Sequence, residues 1–146
     1  MADTPPSTYL LVVDDDRGLL RLMERALTRE GHVVMTAQSG SEAIETALHS
    51  LPALMVLDLK LGDMEGIEVV NRLRGNGSTI PFIVVTGQGD ERVAVDMMKR
   101  GALDYLVKDF RFQESLPAVV TRGLKQIEQI KKLNAAEEAL NREIAL

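Results

Sequence analysis

The stretch "LLVVDDDRG", residues 10–18, sets four apolar side chains directly against three consecutive aspartates. The apolar part reads as a buried strand, whereas three adjacent carboxylates resist burial. Asp14, Asp15 and Asp16 therefore belong at a rim, where the interior meets the surface. Beyond them the period changes. Leu19, Leu20, Leu22, Met23, Ala26 and Leu27 fall at helical spacing, and Gly31 stops the run. A buried strand, an acidic turn and an amphipathic helix form one unit.

The same unit recurs along the chain. "HVVMTA" (32–37) reads as a short strand, and "SGSEAIETALHS" (39–50) as a helix opened by serine. "ALMVLD" (53–58) is a second wholly apolar strand, again ending on an acid, Asp58. The loop "LKLGDMEG" leads into the helix "IEVVNRLRG", and "IPFIVVT" (80–86) is the next strand. The helix "DERVAVDMMKRG" and the strand "ALDYLVK" (102–108) follow, and from Gln113 onward the sequence is helical almost without a break. Strands alternating with helices five times indicate an α/β domain with a parallel sheet. The segments 10–13, 54–57 and 80–85 are apolar throughout, as expected when helices cover both faces. The pattern predicts a doubly wound, flavodoxin-like sheet. There is no internal repeat or low-complexity segment.

Composition narrows the chemistry. With 146 residues the chain fits one domain and an appendage. Aromatics make up 3% and tryptophan is absent, so the core must be aliphatic. The lack of cysteine excludes disulfides, thiolate metal sites and cysteine nucleophiles. "MADTPPST" has neither the basic nor the apolar region of a signal peptide, and no apolar run reaches the ~18–20 residues needed to span a bilayer. These features predict a soluble, cytoplasmic protein with no membrane contact. A net charge of −5 gives no electrostatic footprint for nucleic acid.

In open parallel sheets, sites form at the carboxyl ends of the strands, where the strand order reverses. The residues there are Asp14 and Asp15, Asp58, Thr86 and Lys108. Any one strand-end aspartate is most simply a turn former or helix cap, and Asp16 is assigned that role. Four strand ends agreeing point to a site. Clustered carboxylates need protons or a cation, and an oxygen-only set suits a hard divalent ion, Mg²⁺ or Mn²⁺. Mg²⁺ tends to pair one or two carboxylates with a phosphate, so a phosphoryl group is the implied missing ligand. Lys108 would add a point charge to its oxygens and Thr86 a neutral hydrogen bond. One carboxylate is then placed to act as a nucleophile at phosphorus.

"VVDDD", "VLDLKLGDMEG", "VVTGQG" and "GALDYLVKDF" together resemble the receiver domain of bacterial two-component response regulators (CheY-like), over about residues 8–122. The resemblance implies a five-stranded sheet of order 2-1-3-4-5. It implies that Asp58 is the phosphoacceptor, with Asp14 and Asp15 as the acidic pair and Asp15 the more direct metal ligand. The backbone carbonyl of Lys60 would complete the protein's share of the metal shell, and Thr86 and Tyr105 match the switch pair. It further implies a histidine kinase or phosphotransfer protein as donor, and a fused or separate output domain, in this case within a larger receiver-linked sensor or kinase protein. Such a module is no dedicated enzyme, since it catalyses only its own phosphorylation and dephosphorylation. Two positions depart from the family. Gly62 stands where proline is usual, predicting a looser loop. Asp109 stands where proline usually follows the lysine through a cis bond, which costs a non-proline residue about 2.5–4 kcal/mol.

Other signals carry less. "TGQGD" lacks a dinucleotide fingerprint's third glycine, and "DLKLGDMEG" puts Lys60 and Gly62 where a calcium loop needs oxygen side chains. His32 and His49 read as solvated, and of Met97 and Met98 one is expected inward and one near the surface. Lys60 and Gln88, each two residues past a strand end, are expected at the mouth of the site, where Lys60 would slow hydrolysis of the phosphoryl group.

Residues 123–146 keep an apolar stripe, Leu124, Ile127, Ile130, Leu133, Ala136, Leu140 and Ile144, that no neighbouring domain covers. They read as a helical connector that pairs two copies into a homodimer, although the heptad frame shifts between Ile130 and Leu133. A frayed tail is the simpler alternative. The chain ends without a stop-like segment, as expected of a piece of something longer. Two other functions compete with the phosphoacceptor module. A haloacid-dehalogenase type phosphatase also uses a strand-end aspartate, but wants a second two residues on, where Lys60 stands. An unphosphorylated dimerisation module leaves the acid set without a purpose.

Overall fold

A computed structural model describes residues 9–145; residues 1–8, where the leader was sought, and residue 146 lie outside it. Five strands alternate with five helices: β1 (Tyr9–Val13), α1 (Arg17–Arg29), β2 (Val33–Ala37), α2 (Gly40–His49), β3 (Leu54–Asp58), α3 (Gly66–Gly75), β4 (Phe82–Thr86), α4 (Glu91–Lys99), β5 (Tyr105–Val107) and α5 (Phe112–Ile144). All pairings are parallel and the order is β2-β1-β3-β4-β5. This is the expected doubly wound sheet, and its order reverses at β1.

β1, β3 and β4 are buried along their whole length because each carries apolar residues toward both faces. Tyr9, Leu11, Val13, Met55, Leu57, Phe82 and Val84 meet α2, α3 and α4 through Ala43, Ala47, Val69, Leu73 and Met97. Leu10, Val12, Leu54, Val56, Ile83 and Val85 meet α1 and α5 through Leu20, Met23, Leu27, Leu116 and Val120. The alternation within each apolar strand thus divides one sheet between two cores. β2, at the edge, leaves Val33 and Met35 exposed.

Details differ from the sequence expectation. Helical spacing alone did not separate the inward and outward leucines of α1: Leu20, Met23 and Leu27 are buried, while Leu22 is exposed. β4 starts at Phe82, past Pro81, which has no N–H to give a ladder. β5 is only three residues long and stops before Lys108, whose N–H still reaches the Thr86 carbonyl at 2.8 Å. Met97 is buried and Met98 exposed, as expected. His49 is exposed and His32 half-buried.

α5 is one unbroken helix of 33 residues, about 50 Å long. Its first half lies on the sheet, and at Gly123 a Cβ would come within 3.1 Å of Ile83 Cδ1. Leu124 and Ile127 still lean on the α1–α5 core. Beyond them Ile130, Leu133, Leu140 and Ile144 are exposed. Among the described residues, no helix is long and apolar enough to cross a membrane.

Candidate functional site: an acidic crevice at the strand ends

The carboxyl ends of β1, β3, β4 and β5 surround a crevice of about 350 Å³, walled by Asp15, Asp16, Asp58, Lys60, Thr86, Asp90 and Lys108 among others. β1 ends one residue before Asp14, whose N–H continues the ladder to the Ala37 carbonyl at 3.1 Å. The strand thus carries Asp14 into the protein, fully buried, while Asp15 projects outward into solvent. Asp16 turns away to cap α1, accepting from the Leu19 N–H at 3.1 Å, which is the role expected of it. Its own N–H donates to Asp14 Oδ1 at 2.8 Å.

Asp58 ends β3 and is 5% exposed. Its Oδ2 accepts from Lys108 Nζ at 2.9 Å and its Oδ1 from the Lys60 N–H at 3.2 Å. Lys108 Nζ also lies 3.0 Å from Asp14 Oδ2. That contact has the distance of an ion pair without the alignment of a hydrogen bond, so Asp14 Oδ2 is a buried oxygen with no hydrogen-bond partner. Burial raises the Asp14 pKa above the ordinary carboxylate value, and the neighbouring charge of Asp58 adds to the rise. For Lys108, burial works to lower the pKa, but the hydrogen bond to Asp58 and the negative charges of Asp58 and Asp14 outweigh it and hold the ammonium form. One cation therefore serves a cluster of acids.

Asp14, Asp15 and Asp58 each offer a carboxylate oxygen, all within 4.8 Å of one another. The donor set is oxygen only, it carries more negative charge than Lys108 can balance, and one of its buried oxygens lacks a partner. These residues fit a hard divalent cation such as Mg²⁺. Lys60 sits in the loop beside them. Thr86 is buried at the end of β4 and its hydroxyl donates to the Asp90 carbonyl at 3.3 Å. Tyr105 lies on β5, half-buried against the α2–α4 side of the core and away from the crevice wall. The structure therefore gathers Asp14, Asp15, Asp58, Lys60, Thr86 and Lys108 at one place, with Tyr105 a step behind.

Both departures from the family pattern find a local explanation. The loop containing Gly62 is not loose: Lys60 and Glu65 form an antiparallel bridge, and the Gly66 N–H donates to the Leu59 carbonyl at 2.8 Å. Gly66 is itself required, since a Cβ there would stand 2.6 Å from the Asp58 carbonyl oxygen. After Lys108, Asp109 accepts from the Arg111 N–H at 2.9 Å, an aspartate turn that leads into α5. No peptide bond among the described residues is cis.

Sequence reasoning missed two acids. Asp90 was read only as part of a helix start; its side chain makes no cap and instead lies 3.4 Å from Lys60 Nζ across the mouth of the crevice. Asp63 was read only as part of a loop, yet it accepts from the Gly40 and Ser41 N–H groups at 2.8 and 3.0 Å. Gln88 is exposed, and the wall beside it is made by Gly87, Asp90 and Val93.

Comparison with known proteins agrees with this geometry. The sequence profile of the response regulator receiver domain matches residues 10–121. The chain belongs to the response regulator receiver domain family. The receiver is 39% identical over 123 residues to the acid tolerance regulatory protein ActR of Sinorhizobium medicae, covering 84% of this chain and 63% of that one. It is 31% identical to the DNA-binding transcriptional regulator NtrC of Proteus hauseri, covering 88% of this chain and 27% of that one. Among solved structures, the receiver domain of NtrX from Brucella abortus superposes with a TM-score of 0.73 at 29% identity, over 80% of this chain and 98% of that one. The receiver thus spans less than two thirds of these curated relatives. It is a two-component signalling domain of CheY-like fold.

Proposed function

We propose that Asp58 is the phosphoacceptor of this receiver, taking a phosphoryl group from a histidine kinase or a phosphotransfer protein. The observation that carries this reading is the setting of its carboxylate, held by Lys108 Nζ and the Lys60 N–H beside two further acids. In the transfer, an Asp58 oxygen forms the new P–O bond as the donor's P–N bond breaks, and the donor imidazole leaves with the electron pair. Lys108 orients Asp58 and meets the negative charge of the incoming oxygens. Asp14, Asp15, Asp58 and the Lys60 carbonyl would hold Mg²⁺, which supplies charge neutralisation between carboxylates and phosphoryl oxygens. Thr86 would exchange its bond to the Asp90 carbonyl for one to the phosphoryl group, with Tyr105 following behind it, so that α4 and β5 report the change to an output domain.

Intact mass after incubation with acetyl phosphate and Mg²⁺ tests this. One phosphate is expected on the wild type and none on Asp58→Asn or Asp58→Ala. Asp15→Ala should abolish metal-dependent labelling and Asp16→Ala should leave it nearly intact. Label persisting without Asp58, or equal losses from Asp15 and Asp16, would overturn the assignment.

A second element of the reading concerns assembly. The exposed Ile130, Leu133, Leu140 and Ile144 on a continuous α5 support pairing of two copies through the end of this helix, with the connector joining the receiver to its output.

A further inference from the structure

The loop that follows Asp58 must present the Lys60 carbonyl and the Asp58 carboxylate in fixed relation, yet Gly62 gives it no backbone stiffness. Its internal bonds are few: the Lys60–Glu65 bridge, the Leu61 N–H to the Met64 carbonyl at 3.1 Å, and the Gly66 N–H to the Leu59 carbonyl. These bonds fold the loop on itself and join it to the start of α3, and at its β3 end the Leu59 N–H donates to the Val85 carbonyl at 3.0 Å while Leu59 and Leu61 are buried in the core. The tie from the loop to α2 is Asp63. Its two carboxylate oxygens accept separately from the Gly40 and Ser41 N–H groups, 23 and 22 positions away at the start of α2.

The first turn of a helix leaves N–H groups without intrahelical partners. Here Ser39 accepts from the Glu42 N–H, and Glu42 reaches back to the Gln38 N–H, one residue before the cap, in an arrangement akin to a capping box. That box leaves the N–H groups of Gly40 and Ser41 unserved, and Asp63 takes both. The match is specific to an ionised carboxylate, because it needs two acceptor oxygens and no donor. Those two bonds hold the Asp63 pKa below the ordinary value although the residue is exposed. Alongside, Met64 packs over Gly40, where a Cβ would overlap it.

We infer that Asp63 is a positioning residue for the metal and phosphoryl site, fastening the loop of Asp58 and Lys60 to the start of α2. The inference rests on the reading of the crevice as a Mg²⁺ and phosphoryl site. That loop is then held differently on its two sides. The loop after β3 is tied to α2 by two charge-assisted hydrogen bonds, and to the segment after β4 by the exposed Lys60–Asp90 pair.

The test compares Asp63→Asn with Ser39→Ala, which weakens the same helix end without touching the loop. In the metal-free protein, hydrogen exchange of the Leu61 and Gly66 amides should quicken in Asp63→Asn and stay at the wild-type rate in Ser39→Ala. Calorimetric titration should show Mg²⁺ binding weakened on the order of tenfold in Asp63→Asn, the effect typical of losing a residue that orients metal ligands, and unchanged in Ser39→Ala. Labelling by acetyl phosphate in Asp63→Asn should need more Mg²⁺ but reach the wild-type rate at saturation. Wild-type loop exchange in Asp63→Asn, or equal loss of Mg²⁺ affinity in both variants, would overturn the inference. A wild type that takes up no Mg²⁺ would instead overturn the reading of the crevice, and the exchange measurements would still decide the role of Asp63.

Discussion

At the scale of single residues, the most consequential group is Asp14, a fully buried carboxylate with one oxygen lacking a hydrogen-bond partner. Because burial raises its folded pKa, it favours the folded state fully only below the unfolded value, about 3.9. That contribution is lost as pH rises through the raised folded value. At neutral pH without metal, the raised Asp14 pKa therefore works against folding. Asp14→Asn keeps an oxygen to accept the Asp16 N–H and removes the charge. Its melting temperature in EDTA at pH 7 should exceed that of the wild type by a few degrees, and the difference should shrink toward pH 4. Mg²⁺ should raise the melting temperature of the wild type more than that of the variant. Circular dichroism melts check this, and a variant less stable than the wild type at pH 7 would contradict it. At this scale much was legible beforehand. Asp14, Asp58, Thr86 and Lys108 follow directly from where apolar runs end, and a run's end is a local property of sequence. Asp63 and Asp90 were not legible as site residues, because their partners reach them only through tertiary folding.

Between elements, the mouth of the crevice is spanned by Lys60 from the β3–α3 loop and Asp90 from the start of α4. Lys60 was expected at this mouth, and its stem does lie there, but its charge is directed to Asp90 rather than left free. We expect the pair to impede the approach of water along the route an attack on phospho-Asp58 must take. An exposed pair is weak, so the effect should be modest. Lys60→Ala should shorten the half-life of the aspartyl phosphate by a factor of roughly 2 to 5, the range such a contact can supply. Decay followed by intact mass or radiolabel measures it, and an unchanged or longer half-life would refute it. The same loops show why element bounds were harder to read than element types. Hydrophobic period identified every strand and helix, but β5 ends at Val107 and β4 begins at Phe82 because strand pairing sets the limits, and the sequence pattern runs a residue or more past them.

For the whole molecule, α5 sets the boundary of the receiver. Packing continues through Gly123, Leu124 and Ile127, so a chain ending at Glu128 keeps the core while removing the exposed stripe. If the stripe pairs two copies, sedimentation of the 146-residue chain should show a concentration-dependent dimer, and the chain ending at Glu128 should remain largely monomeric. Two monomers at high micromolar concentration would leave the helix as a linker only. Burial of apolar surface at roughly 25 cal/mol per Å² is the source of any such affinity, and the shifted heptad frame explains why periodicity alone did not settle the partner. The close contact of Gly123 with Ile83 has a mechanical consequence. It acts as a fulcrum on the floor of the sheet, one strand from Asp58, with an arm of about 30 Å to Ile144. A tilt of ~10° about that point would sweep the far end by ~5 Å, close to the pitch of one helical turn. A displacement too small to notice beside β4 would thus arrive at Ile144 as a shift of about one helical turn.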